Sequence, residues 1–360
     1  MFPWEAAPPA PPRSGRRATA PRAAAVGAGD CLIHLPRAVA AAAAAAPSAA
    51  AAAPSAAAPC CELVLDAKRA LGEGALWDAA RQRLLWVDIV RCKVFVYDPA
   101  GGTNRALDVR QMVGTVVPRA PPRQHELVVA AHRGVMAIDA ATGAVTEFLG
   151  NPPAEQAAPG NRWNDGKCDP AGRLWAGTMG LFCEAGAGAL YSLDTDVAHT
   201  FTAVVEGATC PNGIVWTADG ATMYWIDTMA GGVFAFDFDA RSGAATNRRL
   251  AFAIEGEGAG YPDGCTIDAD DNLWIAMWGG GAVRRYDPRA GALLGVYAVP
   301  ASQVTSCAFG GAELDQLYVT TARCGLDDAA LERHPAAGGL FKFDFAGTGV
   351  RGVPAVPFKG

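Results

Sequence analysis

The chain lacks several features that would assign it to common classes of protein. No window of about 19 residues is apolar enough to span a bilayer. The formal net charge of -6 disfavours nucleic acid or an anionic membrane as the main partner. No Gly-x-Ser-x-Gly motif is present, so the sequence does not support a hydrolase with a serine nucleophile at such a turn. We therefore expect a soluble, cytoplasmic protein that binds neither nucleic acid nor membrane.

Cysteine pairs with metal-binding spacing are also absent. The chain has 10 cysteines but no Cys-x-x-Cys, and beyond the adjacent Cys60 and Cys61 they are scattered singly. Zinc held by thiolates is therefore not expected, and a reducing compartment is the simplest interpretation. Cys168, Cys265 and Cys307 stand in apolar strand contexts, where a free cysteine behaves as a small buried hydrophobic residue.

Large side chains are scarce before Cys60, where the first 60 residues contain 25 alanines and 10 prolines. Such a segment cannot bury enough apolar surface to offset its ordering entropy, so we predict a disordered Ala/Pro-rich tail at residues 1–58 and one folded domain at 59–360. Arg16 and Arg17 could belong to a targeting signal, but the apolar stretch that export requires is missing.

Internal repeats define that domain. An apolar strand motif occurs six times, as in "LLWVDI" and "RLWAGT", and its equivalent residues are Trp86, Val128, Trp175, Trp225, Trp274 and Val319. A second strand motif follows each copy, as in "KVFVYD", and ends in an aspartate before a turn. Six strand-rich units of about 50 residues predict an all-β six-bladed propeller with four antiparallel strands per blade. We expect the strand at 61–66 to join the last blade and close the ring.

A polar position recurs 11 to 13 residues before each apolar landmark, on the strand that should face the central channel. The residues at this ring position are Glu73, Thr115, Asn164, Asn212, Asp263 and Ser306. All carry an oxygen-bearing side chain, and in four of them a glycine follows within two residues. Each dipeptide alone could be a turn, but four coincidences in register favour a ring of oxygen ligands at one mouth of the channel.

Two carboxylates and two amides that converge without water would repel unless a cation lies between them. All-oxygen ligands suit Ca²⁺, Mg²⁺ or Mn²⁺, with Zn²⁺ possible but not favoured by ligand type. None of the 5 histidines falls at the ring position, so neither a histidine-bound metal nor a Ser-His-Asp triad is supported.

Five motifs together resemble the regucalcin (senescence marker protein)/gluconolactonase family. They are "LGEGALW", "NRWNDGKCDPAGRLWAGTM", "PNGIVW…MYWIDT", "YPDGCTIDADDNLWIAMWGGGAVRRYDP" and "TSCAFGG…LYVTTAR", and they occur in order between residues 61 and 350. The resemblance implies a six-bladed propeller that hydrolyses sugar lactones with one divalent cation. It places the metal ligands at Glu73, Asn212 and Asp263, with Asn164 lining the site, and the substrate contacts at Arg162, Asn164 and Glu184.

A lactonase must activate water, polarise the ester carbonyl and stabilise an oxyanion. The second oxygen of Asp263 could take the proton of the attacking water, which makes Asp263 the candidate catalytic residue. Arg162 could donate hydrogen bonds to sugar hydroxyls, although a surface salt bridge is its alternative role. A non-catalytic calcium-binding protein and a protein-interaction platform are the competing functions. We expect a monomer or weak homo-oligomer, and the sequence does not define which lactone is used.

Overall fold

The computed structural model describes residues 59–196 and 198–360. This part of the chain forms six separate antiparallel sheets of four strands each, which are the blades of the predicted β-propeller. The predicted tail at residues 1–58 lies outside the described residues, so its disorder stays a prediction. None of the described helices has the length and hydrophobicity of a membrane-spanning segment.

Five blades are built from consecutive strands. The first contains β2 (Gly72–Asp78), β3 (Arg83–Asp88), β4 (Lys93–Asp98) and β5 (Thr103–Asp108). The second contains β6 (Val113–Pro118), β7 (Glu126–Ala131), β8 (Gly134–Asp139) and β9 (Val145–Gly150). The third contains β10 (Asn161–Cys168), β11 (Leu174–Gly180), β12 (Gly188–Leu193) and β13 (Phe201–Ala208). The fourth contains β14 (Pro211–Trp216), β15 (Thr222–Asp227), β16 (Gly232–Asp239) and β17 (Ala244–Ala253). The fifth contains β18 (Tyr261–Ile267), β19 (Leu273–Trp278), β20 (Ala282–Asp287) and β21 (Ala292–Ala298).

The sixth blade combines strands from distant parts of the chain. It contains β22 (Val304–Gly310), β23 (Gln316–Thr321) and β24 (Leu340–Asp344), and its outer strand is β1 (Cys61–Leu65). Strand β1 pairs with β24 in antiparallel register, with Cys61 opposite Phe343. The described helices are short: α1 (Pro153–Gln156), α2 (Asp328–Arg333) and a 3₁₀ turn (Thr228–Ala230).

Buried tryptophans fix the second strand of several blades. Trp175 and Trp274 are 0% exposed, and each donates its indole N–H to a buried aspartate at the end of the preceding strand. The acceptors are Asp169 and Asp268, whose carboxylates also bond to backbone N–H groups of the connecting turn. In these two blades the large ring packs between sheets while its one polar group keeps a partner, whereas the indole N–H of Trp225 has no hydrogen-bond partner among the described residues.

Each innermost strand contacts the innermost strands of the adjacent blades, and the contact of β2 with β22 completes the cycle. Among the residues that the structure describes, no β-ladder joins one blade to the next, and the six sheets are separate. All six innermost strands have an irregularity in their pairing with the second strand near the predicted ring position. An irregularity of this kind redirects side chains out of the regular alternation.

Candidate active site

Four of the six ring positions converge on one cavity. Glu73, Asn164, Asn212 and Asp263 line a space of about 50 Å³ together with Arg162. All five side chains are buried, with exposures between 5% and 7%. The structure therefore brings together every predicted metal ligand and two of the three predicted substrate contacts.

Local backbone irregularities position these side chains. The break in strand pairing lies between Glu73 and Leu76 in the first blade, and equivalent breaks surround Asn164, Asn212 and Asp263. Gly74 has a φ of 60°, which favours glycine because a Cβ is strained there. A Cβ at Gly213 would lie 2.5 Å from the Cys265 sulfur of the adjacent innermost strand. The glycines that follow the ring residues thus allow both an unusual turn and close packing of blades.

The amide of Asn212 is held in one orientation. Its Nδ2 donates to Thr228 Oγ1 over 2.8 Å, and the Thr228 hydroxyl donates in turn to the carbonyl of Pro262 over 2.7 Å. Asn212 Oδ1 accepts from Asn164 Nδ2 over 3.2 Å. Because the Asn212 nitrogen is engaged by Thr228, the amide presents its oxygen as the donor atom available to a cation.

Arg162 lies inside the cavity and not at the surface. Its Nη1 donates to Asn164 Oδ1 over 2.6 Å and to the carbonyl of Trp163 over 3.1 Å. No carboxylate of the described residues lies within 4.0 Å of its guanidinium nitrogens. A surface salt bridge therefore does not account for this buried side chain.

The cavity concentrates negative charge. Burial, followed by repulsion from Asp165, raises the pKa of Glu73 to about 8. Burial, followed by repulsion from Glu73, raises the pKa of Asp263 well above its ordinary value. Arg162 is the cation that acts on both carboxylates. Two carboxylates, with Asp165 as a third nearby, exceed one guanidinium, and this imbalance fits a divalent cation.

Amide oxygens are essential to that fit. Within residues 59–196 and 198–360, no three His, Cys, Asp or Glu side chains cluster in a way that could hold an ion by themselves. The candidate set instead combines the carboxylates of Glu73 and Asp263 with the amide of Asn212, all on the same cavity. Oxygen donors of this mixture are the ligands of hard divalent ions.

Thr115, Ser306 and Glu184 lie outside the residues that line this cavity. Thr115 Oγ1 donates to the carbonyl of Asn164 over 2.6 Å, and Ser306 Oγ accepts from the backbone of Ala75 over 3.3 Å. Glu184 is exposed on the loop after β11 and accepts from the backbone N–H of Phe182. Its role in substrate binding stays a prediction.

A larger cavity of about 230 Å³ lies beyond the other ends of the innermost strands. Its lining includes Trp77, Trp216 and residues 353–356 near the C-terminus, and none of the four acidic or amide ring residues. Of these two cavities the smaller carries the candidate chemistry, since it combines carboxylates, amides and a guanidinium and the larger does not.

Four residues of the site were not evident from the sequence. Thr228 lies on a 3₁₀ turn 16 residues after the asparagine that it orients. Asp165 is buried, and its Oδ2 accepts no hydrogen bond from the described residues. Cys183 and Cys210, which the sequence separates, both line the cavity and belong to one buried cluster. Of these residues, only Asp165 could have been suspected from the sequence, because it directly follows the ring residue Asn164.

A six-bladed propeller with a channel site of this kind occurs in a known class of proteins, and similarity to proteins of that class assigns the family. Residues 71–323 match the SMP-30/Gluconolactonase/LRE-like region. The chain belongs to the SMP-30/gluconolactonase family. It is 36% identical over 301 residues to regucalcin of Danio rerio, a match that covers 83% of this chain and 98% of that protein.

Two further matches describe the same relationship. A Bacillus subtilis (strain 168) protein named "Putative sugar lactone lactonase YvrE" is 33% identical over 298 residues, covering 83% of this chain and 98% of that one. The solved structure of the calcium-binding protein regucalcin from Agrobacterium tumefaciens str. C58 has a TM-score of 0.77 and 30% identity. That match covers 83% of this chain and 97% of the other.

Proposed function

We propose that the chain is a divalent-metal-dependent hydrolase that opens sugar lactones, such as glucono- or arabinolactone, to the sugar acid. The observation that carries the proposal is the cavity where Glu73, Asn212 and Asp263 meet Arg162 and Asn164. The sugar lactone lactonase name of the Bacillus subtilis relative supports the reaction class. One divalent cation would be held by Glu73, Asn212 and Asp263, with Asn164 lining the site.

When bound, the cation polarises the lactone carbonyl and lowers the pKa of a bound water. The oxygen-only donors favour Ca²⁺, Mg²⁺ or Mn²⁺ over Zn²⁺. The remaining chemistry belongs to side chains of the chain. Asp263 accepts a proton from the attacking water and returns it to the ring oxygen as the ester bond breaks. One lactone and one water thus give one hydroxy acid, whose new carboxyl group releases a proton to solvent at neutral pH.

Arg162 supplies positive charge where the reaction develops an oxyanion. Its guanidinium is buried in the same cavity as Asp263, so solvent does not screen it. Its hydrogen bond to Asn164 Oδ1 also orients that amide, whose Nδ2 donates to the carbonyl of Pro211 and to Asn212 Oδ1. We assign Glu184 a contact with a more distant hydroxyl of the sugar because its loop follows β11, which carries the cavity residue Met179.

A panel of aldonolactones tests the proposal. Purified protein is chelated, reloaded separately with Ca²⁺, Mg²⁺, Mn²⁺ or Zn²⁺, and assayed for acid release. We expect activity to vanish on chelation and return with metal, and Glu73→Gln and Asp263→Ala to lose it. Ser306→Ala is the matched control, because Ser306 occupies a ring position outside the cavity. Its activity should equal that of the parent.

A non-catalytic calcium-binding protein is the alternative, and the regucalcin structure from Agrobacterium is described as a calcium-binding protein. Calorimetry separates the two. Metal binding that depends on Glu73 and Asp263, without turnover of any lactone, would establish the alternative. Full turnover by the Asp263→Ala protein would refute the role of Asp263 as base.

A further inference from the structure

Four sulfur-containing side chains gather at one wall of the cavity. Met179, Cys183 and Cys210 form a buried cluster, and Met229 packs against it. Met179, Cys183 and Cys210 also line the cavity that holds the oxygen donors. The sulfur atoms of Cys210 and Met179 are 3.9 Å apart, and Cys183 belongs to the same buried cluster. The three sulfur-bearing side chains therefore share one wall of the cavity.

The backbone holds the two cysteines firmly. Cys183 has a φ of 57°, a conformation that side chains other than glycine rarely adopt, and its N–H donates to the carbonyl of Gly180. The N–H of Cys210 donates to Asp227 Oδ1 over 2.9 Å, and its carbonyl accepts from Thr228. The thiols are thus presented to the cavity by anchored segments, which reduces the entropy lost on binding a ligand.

The geometry points to a second metal site, at which Met179, Cys183 and Cys210 bind a soft, thiophilic monovalent cation of the Cu(I) type. Thiolate and thioether sulfurs select such ions, whereas the carboxylate and amide oxygens of Glu73, Asn212 and Asp263 select hard ones. The sulfur donors therefore select a soft ion and the oxygen donors a hard ion within the same cavity.

Anaerobic titration of the full-length chain with Cu(I), in competition with a chromophoric Cu(I) chelator, tests the site. All proteins carry Cys60→Ser and Cys61→Ser, because this adjacent pair, exposed at Cys60 and half-buried at Cys61, would bind the same ion. The parent should withhold one equivalent of Cu(I) that Cys183→Ser and Cys210→Ser each release. Cys168→Ser is the matched control, since Cys168 is buried on β10 away from the cluster, and it should bind like the parent.

X-ray absorption keeps the inference testable if a cysteine variant folds poorly. Met179→Leu preserves side-chain volume and both thiols, so we expect bound Cu(I) to lose one of three sulfur neighbours in that protein. The inference is overturned if Cys183→Ser and Cys210→Ser retain the parent stoichiometry, or if Met179→Leu leaves the sulfur count unchanged. Neither measurement depends on lactone hydrolysis, so this result and that of the activity assay are independent.

Discussion

Removing the divalent cation should make the folded chain less stable as the pH rises. Burial and neighbouring carboxylates raise the pKa of Glu73 from 4.5 to about 8, and the pKa of Asp263 also rises. At pH values between 4.5 and about 8, the folded chain retains the Glu73 proton that the unfolded chain has released. The stabilisation is therefore fully present below about pH 4.5 and is lost as the pH rises through about 8.

The size of the effect follows from the displacement of the Glu73 pKa. A change of roughly 3.5 pH units at about 1.4 kcal/mol each gives about 5 kcal/mol in the free energy of unfolding. Glu73 is almost fully buried, so solvent screening takes little from this figure. For a propeller of roughly 300 residues the unfolding entropy is about 0.6 kcal/mol per kelvin, so Tm should fall by roughly 8 °C.

Thermal unfolding of chelated protein between pH 5 and pH 8 measures most of this loss, roughly 3.5 kcal/mol or about 6 °C in Tm. Glu73→Gln cannot ionise, so its Tm should depend less on pH, and the remaining slope comes from Asp263, whose pKa burial still raises. Ser306→Ala should keep the slope of the parent, because Ser306 lies outside the cavity. Added divalent cation should raise the Tm of the parent protein most strongly at high pH, where the cation no longer has to displace protons from the carboxyl groups. Equal slopes for the parent and Glu73→Gln would refute the explanation.

Three further predictions follow from the same contacts. Arg162→Ala should lower kcat/KM by roughly 10- to 1,000-fold, while calorimetry should show unchanged or slightly tighter metal binding, because a nearby positive charge is removed. Thr228→Val should weaken metal affinity by about 10- to 100-fold by freeing the Asn212 amide, and Thr228→Ser should restore it; unchanged affinity in Thr228→Val would contradict the orienting role. Deleting residues 1–58 should leave both Tm and activity unchanged, since the first described strand begins at Cys61; a large loss in either would show that this segment contributes to the fold or site.

Repetition made the fold and the ring position predictable. A single Asn-Gly or Asp-Gly dipeptide indicates no more than a turn, but Asn212 and Asp263 occupy equivalent places in different blades. Equivalent strands of a propeller face the same channel, so sequence register becomes spatial convergence. Both residues line the cavity, at the pairing irregularities of β14 and β18.

Contacts between non-equivalent elements could not be predicted in this way. Cys183 lies on a loop after the second strand of one blade, and Cys210 precedes the first strand of the next. Thr228 reaches Asn212 from a short 3₁₀ turn. Loop conformations decide these approaches, and no repeated spacing records them. The side chains that orient or flank the candidate metal ligands can therefore be identified only once the loop conformations are known.

The two ring positions outside the cavity show why oxygen-bearing side chains alone are an ambiguous signal. Adjacent innermost strands pack closely but share no β-ladder, so some of their buried backbone groups need other partners. Thr115 supplies such a partner to the carbonyl of Asn164, and Ser306 to the N–H of Ala75, each across a blade boundary. A hydroxyl meets this need because it can donate or accept, whereas a carboxylate only accepts and carries a charge that burial opposes. Charge is thus what separates the two roles: a neutral hydroxyl at the ring position suffices to join blades, whereas the buried carboxyls of Glu73 and Asp263 either keep their protons or need a compensating cation.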